Sequence, residues 1–177
     1  VFGRELEMKA RNYREVKGMP YTRPEYIHGA PQPKITKYTF GKPSESYTYQ
    51  VSLVSEERVQ IRHNALEAAR IAANRYLQKM LGEKFFMRVM VLPHIILREN
   101  KMIFGAHADR LQEGMRRAFG KPVGRAARVE PSQEIIVVKV DESGLEIAKE
   151  ALRRAASKIP ASCRIVVEKM LNQGQGS

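Results

Sequence analysis

The sequence predicts an α+β fold, a mostly antiparallel sheet with two packed helices, preceded by an extended basic N-terminal arm. Three observations carry the prediction. Several strand-like segments adjoin one another in sequence without the regular helical crossovers that a parallel sheet needs. Two stretches place their apolar residues at the helical period, and the first forty or so residues keep neither period. A chain of 177 residues can bury one respectable core and does not call for two. The expected division is an arm over 1–43, one α+β domain over 44–170 and a loose polar tail over 171–177.

Taken in order, residues 9–43 are rich in Pro, Gly, Tyr and basic side chains, the composition of an extended segment. Tyr47, Tyr49, Val51 and Leu53 alternate with Thr48, Gln50, Ser52 and Val54, as in a half-buried strand. Over 63–81, Ala65, Leu66, Ala69, Ala72, Ala73, Tyr76, Leu77 and Met80 gather on one side at about 100° per residue, and Gly82 supplies a stop. Residues 85–92 form an almost wholly apolar run, read as a central strand ended by Pro93, with a shorter strand expected over 94–98. A glycine-punctuated basic stretch follows to residue 124. Residues 126–130 and 134–140 read as a strand pair. Ser143 and Glu146 fit a capping box that opens a second helix to about 158, its inward face Leu145, Ala148, Leu152, Ala155 and Ala156. Pro160 stops it, and 164–168 form a last strand. Phe-Gly-Lys-Pro occurs at 40–43 and again at 119–122, which is too little for a repeat architecture.

Charge narrows the function. Lys and Arg number 31 against 19 Asp and Glu, a formal net charge of +12. The first 42 residues carry nine basic and four acidic side chains, residues 94–128 carry eight and three, and residues from 129 onward carry seven of each. Heat-adapted surfaces mix Lys with Glu in ion-pair networks, so a large one-sided excess points instead to a polyanionic partner. Cys163 is the only cysteine, which excludes an intrachain disulfide and a cysteine-rich zinc site and suits a reducing cytoplasm. No apolar run approaches the length of a membrane span, and Arg4, Glu5 and Glu7 interrupt anything like a signal peptide. Because the sequence opens on Val1, an upstream start or a processed terminus is expected.

The densest anion-binding signal is GAHADRLQEGMRRAFGKPVG over 105–124, where Arg110, Arg116, Arg117 and Lys121 stand among glycines, followed by Arg125 and Arg128. Glycine lets backbone approach a phosphate closely, and a guanidinium can hold phosphate oxygens as a fork. A short amphipathic helix with Leu111, Met115 and Phe119 as its apolar stripe is an alternative local reading. Gly120-Lys121 resembles the end of a nucleotide-binding P-loop, but five residues separate Gly114 from Gly120 and Pro122 occupies the place of the magnesium-binding hydroxyl. His28, His63, His94 and His107 lack a second ligand at useful spacing, so surface or packing roles are expected and no metal or cofactor. The acid pairs Glu56-Glu57 and Asp141-Glu142 fit turns better than catalysis. In the arm, Tyr13, Tyr21, Tyr26 and Tyr38 interleave with Arg11, Arg14, Lys17, Arg23, Lys34 and Lys37, and Arg98 and Lys101 flank the glycine-rich stretch. Cations for phosphates beside rings for unpaired bases suit irregular RNA, although each ring is equally able to anchor the arm on its own domain.

The stretches YREVKGMPYTRPEYI, ALEAARIAANRYL, PHIILRENKM, ADRLQEGMRRAFGKPVGRAARV and EALRRAASKIP resemble the archaeal and eukaryotic QM-type ribosomal protein family, the counterpart of bacterial large-subunit protein sixteen. The resemblance implies an α/β-hammerhead variant of the fold and a structural, non-enzymatic constituent of the large ribosomal subunit. It further implies contact with large-subunit rRNA between the central protuberance and the peptidyl-transferase centre, close to tRNA acceptor arms, with neighbouring ribosomal proteins as partners and no homo-oligomer. By position, 101–116 resembles the family's mobile loop, and 114–124 its basic RNA-contacting signature. His107 stands where the family usually has glycine, and VFGRELEMKA differs from its usual short basic start. A free-standing RNA-binding factor that visits ribosomes or tRNA fits the same residues, and a phosphate-ester enzyme built on Lys121 is a third reading.

Overall fold

A computed structural model describes residues 10–43, 47–99 and 120–170. In chain order its regular elements are β1 (Thr39–Gly41), β2 (Tyr49–Ser55), β3 (Val59–Arg62), α1 (His63–Leu81), β4 (Phe86–Val89), β5 (Ile95–Glu99), β6 (Lys121–Val129), β7 (Glu134–Val140), α2 (Leu145–Ala156) and β8 (Cys163–Lys169). Short 3-10 turns occupy Ala10–Tyr13, Pro24–Tyr26 and Glu142–Gly144. The strands form two sheets, one ordered β1-β4-β7-β2-β8 and one ordered β3-β6-β5, with every neighbouring pair antiparallel. The expected α+β class with two helices and antiparallel sheet is therefore what the chain adopts.

One apolar cluster joins the two sheets and the helices. Leu66, Ala69, Ala73 and Leu77 of α1 and Ala148, Ala151, Leu152 and Ala155 of α2 are buried in it with Val51, Leu53, Met87, Ile136 and Val138 of the larger sheet and Val59, Ile61, Ala127 and Val129 of the smaller. Alanines on both helices let two backbones and a sheet approach closely, so short side chains still close the core. The arm reaches the same core through Ile35, which is fully buried, and its backbone continues into β1. The carbonyl of Tyr38 accepts the Val89 N–H at 2.8 Å, which seats the end of the arm on β4.

Four sequence expectations need correction. Residues 126–130 and 134–140 are strands, but β6 and β7 lie in different sheets and do not pair. Between them Ser132 takes φ 65°, its N–H binds the Ser55 carbonyl at 2.8 Å, and the Ser55 N–H binds the Gln133 carbonyl at 3.0 Å. The link is thus fastened to the end of β2 and does not close a hairpin. Ser143 does not cap α2, because it lies in the preceding 3-10 turn and Gly144 occupies the cap without a side-chain bond. The Glu146 carboxylate pairs with Lys149 at 2.7 Å and does not fold back on the cap. Met80 is 49 % exposed, because Leu81, four residues after Leu77, packs against the core in its place. Finally, the short strand β3 falls where the sequence reading had none, and β6 begins at Lys121, earlier than 126. Pro122, which has no N–H to give, sits where β6 is paired only on its β5 side, beside the register shift at Leu97/Arg98.

Candidate nucleic-acid interface

The arm lies across the three-stranded sheet, and the bonds that hold it run mostly from the sheet's side chains and amides to the arm's carbonyls. The Gln60 N–H donates to the Arg14 carbonyl at 2.8 Å, and its side-chain amide donates to the Tyr13 carbonyl at 3.0 Å. The Ile96 N–H donates to the Tyr21 carbonyl at 2.8 Å. Arg128 reaches over from β6, Nη1 to the Gly18 carbonyl at 3.0 Å and Nη2 to the Lys17 carbonyl at 3.2 Å. Farther along the same strand, Arg125 Nε donates to the Pro31 carbonyl at 2.8 Å. Guanidinium suits this task because its rigid planar fork aims two N–H donors at two carbonyls in a fixed geometry, which the compact ammonium of lysine on its flexible stem lacks.

Two further bonds fix the arm's rings and its far end. Tyr13 donates its hydroxyl to the Arg98 carbonyl at 3.3 Å, and burial, then the nearby Glu99 charge, raise its pKa so that it stays a donor. The Arg98 guanidinium lies 3.6 Å from the Tyr21 ring centroid. At the start of α1, His63 Nδ1 accepts the Lys34 backbone N–H at 3.0 Å, which requires a neutral ring. Burial, then Lys34, Arg62 and Arg125, lower the imidazole pKa and keep it neutral.

These contacts sort the sequence candidates. Lys17, Tyr21, Arg98 and Arg128 come together with Met19, Pro20, Gln60 and Ile95–Leu97 around an open groove of about 280 Å³ between arm and sheet. Arg125 and Arg128 are engaged with the arm's own carbonyls, and Arg14 pairs with Glu57 at 2.7 Å. Lys17 pairs with Glu15 yet stays exposed, as are Arg11, Arg23, Lys34, Lys37 and Lys121. Lys34 and Lys37 fall at the far end of the arm and do not line the groove. Lys101, Arg110, Arg116 and Arg117 lie outside the described residues, and so does the expected loop over 101–116. Its two stems are described: Glu99 pairs with Lys121, so the segment between them leaves and rejoins the chain at one end of the β5-β6 ladder. Sequence reasoning missed Gln60 and His63, and the alternation of Val59 and Ile61 with Gln60 and Arg62 was the signal for the first. Cys163, on β8, has its thiol pKa raised by burial and by Glu56 and Glu57, which favours the thiol over the thiolate.

Fold and groove together define a class: a basic α+β protein in which a charged arm is locked onto a small antiparallel sheet. Among the described residues no group of His, Cys, Asp and Glu is arranged to hold a metal, and no helix is long and apolar enough to cross a membrane. Residues 16–166 match the family described as Ribosomal protein L16p/L10e, and the chain belongs to that family, whose members are structural ribosomal proteins and not enzymes. The large ribosomal subunit protein uL16 of Hyperthermus butylicus is 57% identical over 158 residues, covering 89% of this chain and 88% of the relative. The protein of the same name from Staphylothermus marinus is 56% identical over 89% of this chain and 91% of its own length, and that from Methanococcus maripaludis 50% identical over 90% and 93%.

Proposed function

We propose that this chain is a structural constituent of the large ribosomal subunit in the cytoplasm, where the arm and the β5-β6 sheet dock on large-subunit rRNA near the central protuberance and the peptidyl-transferase centre and help position tRNA acceptor arms. The observation that carries the reading is the division of labour in the arm. Its carbonyls are held by Gln60, Ile96, Arg125 and Arg128, while Arg11, Lys17, Arg23, Lys34 and Lys37 keep their charges outside. A segment ordered before it meets RNA does not lose that entropy on binding. The Glu99-Lys121 pairing sets both ends of the segment between β5 and β6 on the same sheet, which suits a loop that reaches for a second RNA, the tRNA end.

The test is a salt titration of binding to large-subunit rRNA, comparing the natural chain with Arg23→Ala/Lys37→Ala/Lys121→Ala. Loss of three phosphate contacts lowers the slope of log affinity against log salt by about 2 on single-stranded RNA. An unchanged slope would overturn the docking face. Sedimentation of the subunit in high salt separates an integral constituent, which stays bound, from a visiting factor, which is washed off.

A further inference from the structure

A second basic surface forms where the sequence hides it. Residues from 129 onward are neutral as a set, yet α2 and the turn after it bring Arg154 and Lys158 beside Arg75 and Lys79 of α1. With Ala72, Tyr76 and Ser157 these line a groove of about 410 Å³ between the helices, and none of the lining residues is acidic. Arg154 is already positioned within it. Its guanidinium lies 3.9 Å from the Tyr76 ring centroid and its Nε binds Glu150 at 3.0 Å, which leaves its terminal amino groups for a ligand. Among the described residues, Arg75, Lys79 and Lys158 form no ion pair, and all three are exposed.

Helix polarity accounts for part of this arrangement only. Cations in the last turn of a helix complement its negative end, which explains Lys79 and Arg154. Arg75 lies earlier in α1 and Lys158 lies beyond α2, so neither is placed by that effect. A thermally adapted ion-pair network would interleave acids, and here Glu150 alone serves both Arg153 and Arg154.

We infer that the α1-α2 groove is a second phosphate-binding surface, which takes the backbone of an RNA strand other than the one met by the arm. It shares no residue and no element with the groove between arm and sheet. The chain thereby ties two RNA segments together, an inference that rests on the rRNA-binding reading. Arg154, held over the Tyr76 ring, supplies a directed contact, and the exposed lysines supply point charges along the strand.

The experiment uses the full chain and large-subunit rRNA transcribed from the Hyperthermus butylicus sequence. Lys79→Gln/Lys158→Gln is expected to fold as the natural chain does, by thermal melting, and to lower the salt slope by about 1.4, for two lost contacts to a single strand. An iron chelate tethered to Lys79→Cys, in a Cys163→Ser background, is expected to cleave a different stretch of RNA from one tethered to Arg23→Cys. An unchanged slope, cleavage confined to the arm's stretch, or no cleavage of RNA from position 79 would each overturn the second surface. If Arg23→Ala/Lys37→Ala/Lys121→Ala binds weakly while the helix variant does not, only the second surface falls. If neither loses affinity, the docking reading falls with it.

Discussion

Gly41 and Gly120, the glycines of the two Phe-Gly-Lys-Pro sequences, do the same local job in different sheets. Gly41 ends β1 at φ 81°, and a Cβ there would lie 2.0 Å from the Phe85 carbonyl oxygen. Gly120 precedes β6 at φ 150°, with the Glu99 carbonyl carbon 2.9 Å from the same virtual atom. Backbone meets backbone at both points, so no side chain can swing away to relieve a substitution. Gly41→Ala is expected to cost at least about 1–3 kcal/mol from the left-handed conformation alone, read as a lower denaturant midpoint. A midpoint within error of the natural chain would show that β1 shifts freely. His63 gives a different residue-scale prediction. Its pKa lies below the ordinary value of 6.5 when the arm is docked, so below about pH 6.5 the unfolded chain binds the proton more readily than the folded one. The stabilisation is present in full above that pH and is lost as pH falls through the lowered value. The melting temperature is expected to drop between pH 7 and 5, before the carboxylates titrate, and His63→Gln is expected to flatten the drop. The same slope in both proteins would remove His63 from the account.

Among elements, β6 has the most consequence, since one strand carries the partners of β3 and β5 and both guanidiniums that clamp the arm. Arg128→Lys keeps the charge and loses the fork, and so separates a clamp from a simple phosphate contact. The clamp reading expects arm docking to weaken by about 1–2 kcal/mol, a figure reduced from that of fully buried charged hydrogen bonds because the site is partly exposed. The amides of Gln60 and Ile96 would then exchange roughly 5–30 times faster. Unchanged protection at both would mean that the arm is held elsewhere. The elements that sequence made legible are those whose information is local. The span 63–81 carries its own period and its own stop at Gly82, and the structure places α1 on the same residues. The partnership of β6 and β7 was misread because a link of only four residues between two apolar strands looks like a hairpin, whereas Ser132 and Gln133 bond to Ser55, more than seventy residues away, and the chain passes into the other sheet. The clamps were illegible for a related reason. Arg125 and Arg128 look in sequence like phosphate ligands, and nothing local shows that they also hold arm carbonyls about a hundred residues earlier.

At the scale of the whole molecule, rigidity and reach are assigned to different parts of the chain. The arm, the three-stranded sheet and the helix layer share one cluster through Ile35, Ile61, Leu66 and Ala127, so positions on these surfaces are fixed relative to one another before RNA arrives. The proposed reach toward tRNA rests on the residues between Glu99 and Gly120, whose two ends the β5-β6 ladder brings side by side. This geometry predicts the effect of shortening it. Deleting residues 103–112 removes ten of the twenty residues between the stems, and because the ends already meet, the shorter link still closes. Halving a loop changes its closure entropy by only about 0.6 kcal/mol, and in the stabilising direction. The ladder from Ile95–Ala126 to Glu99–Lys121 does not depend on the deleted residues, so the variant is expected to melt close to the natural chain and to bind rRNA with the same salt slope. Subunits reconstituted with it are expected to assemble and yet to hold tRNA acceptor ends poorly, as read by footprinting of the bound tRNA. A variant that fails to fold would place those residues in the core, and one that supports normal tRNA binding would deny the segment its reach.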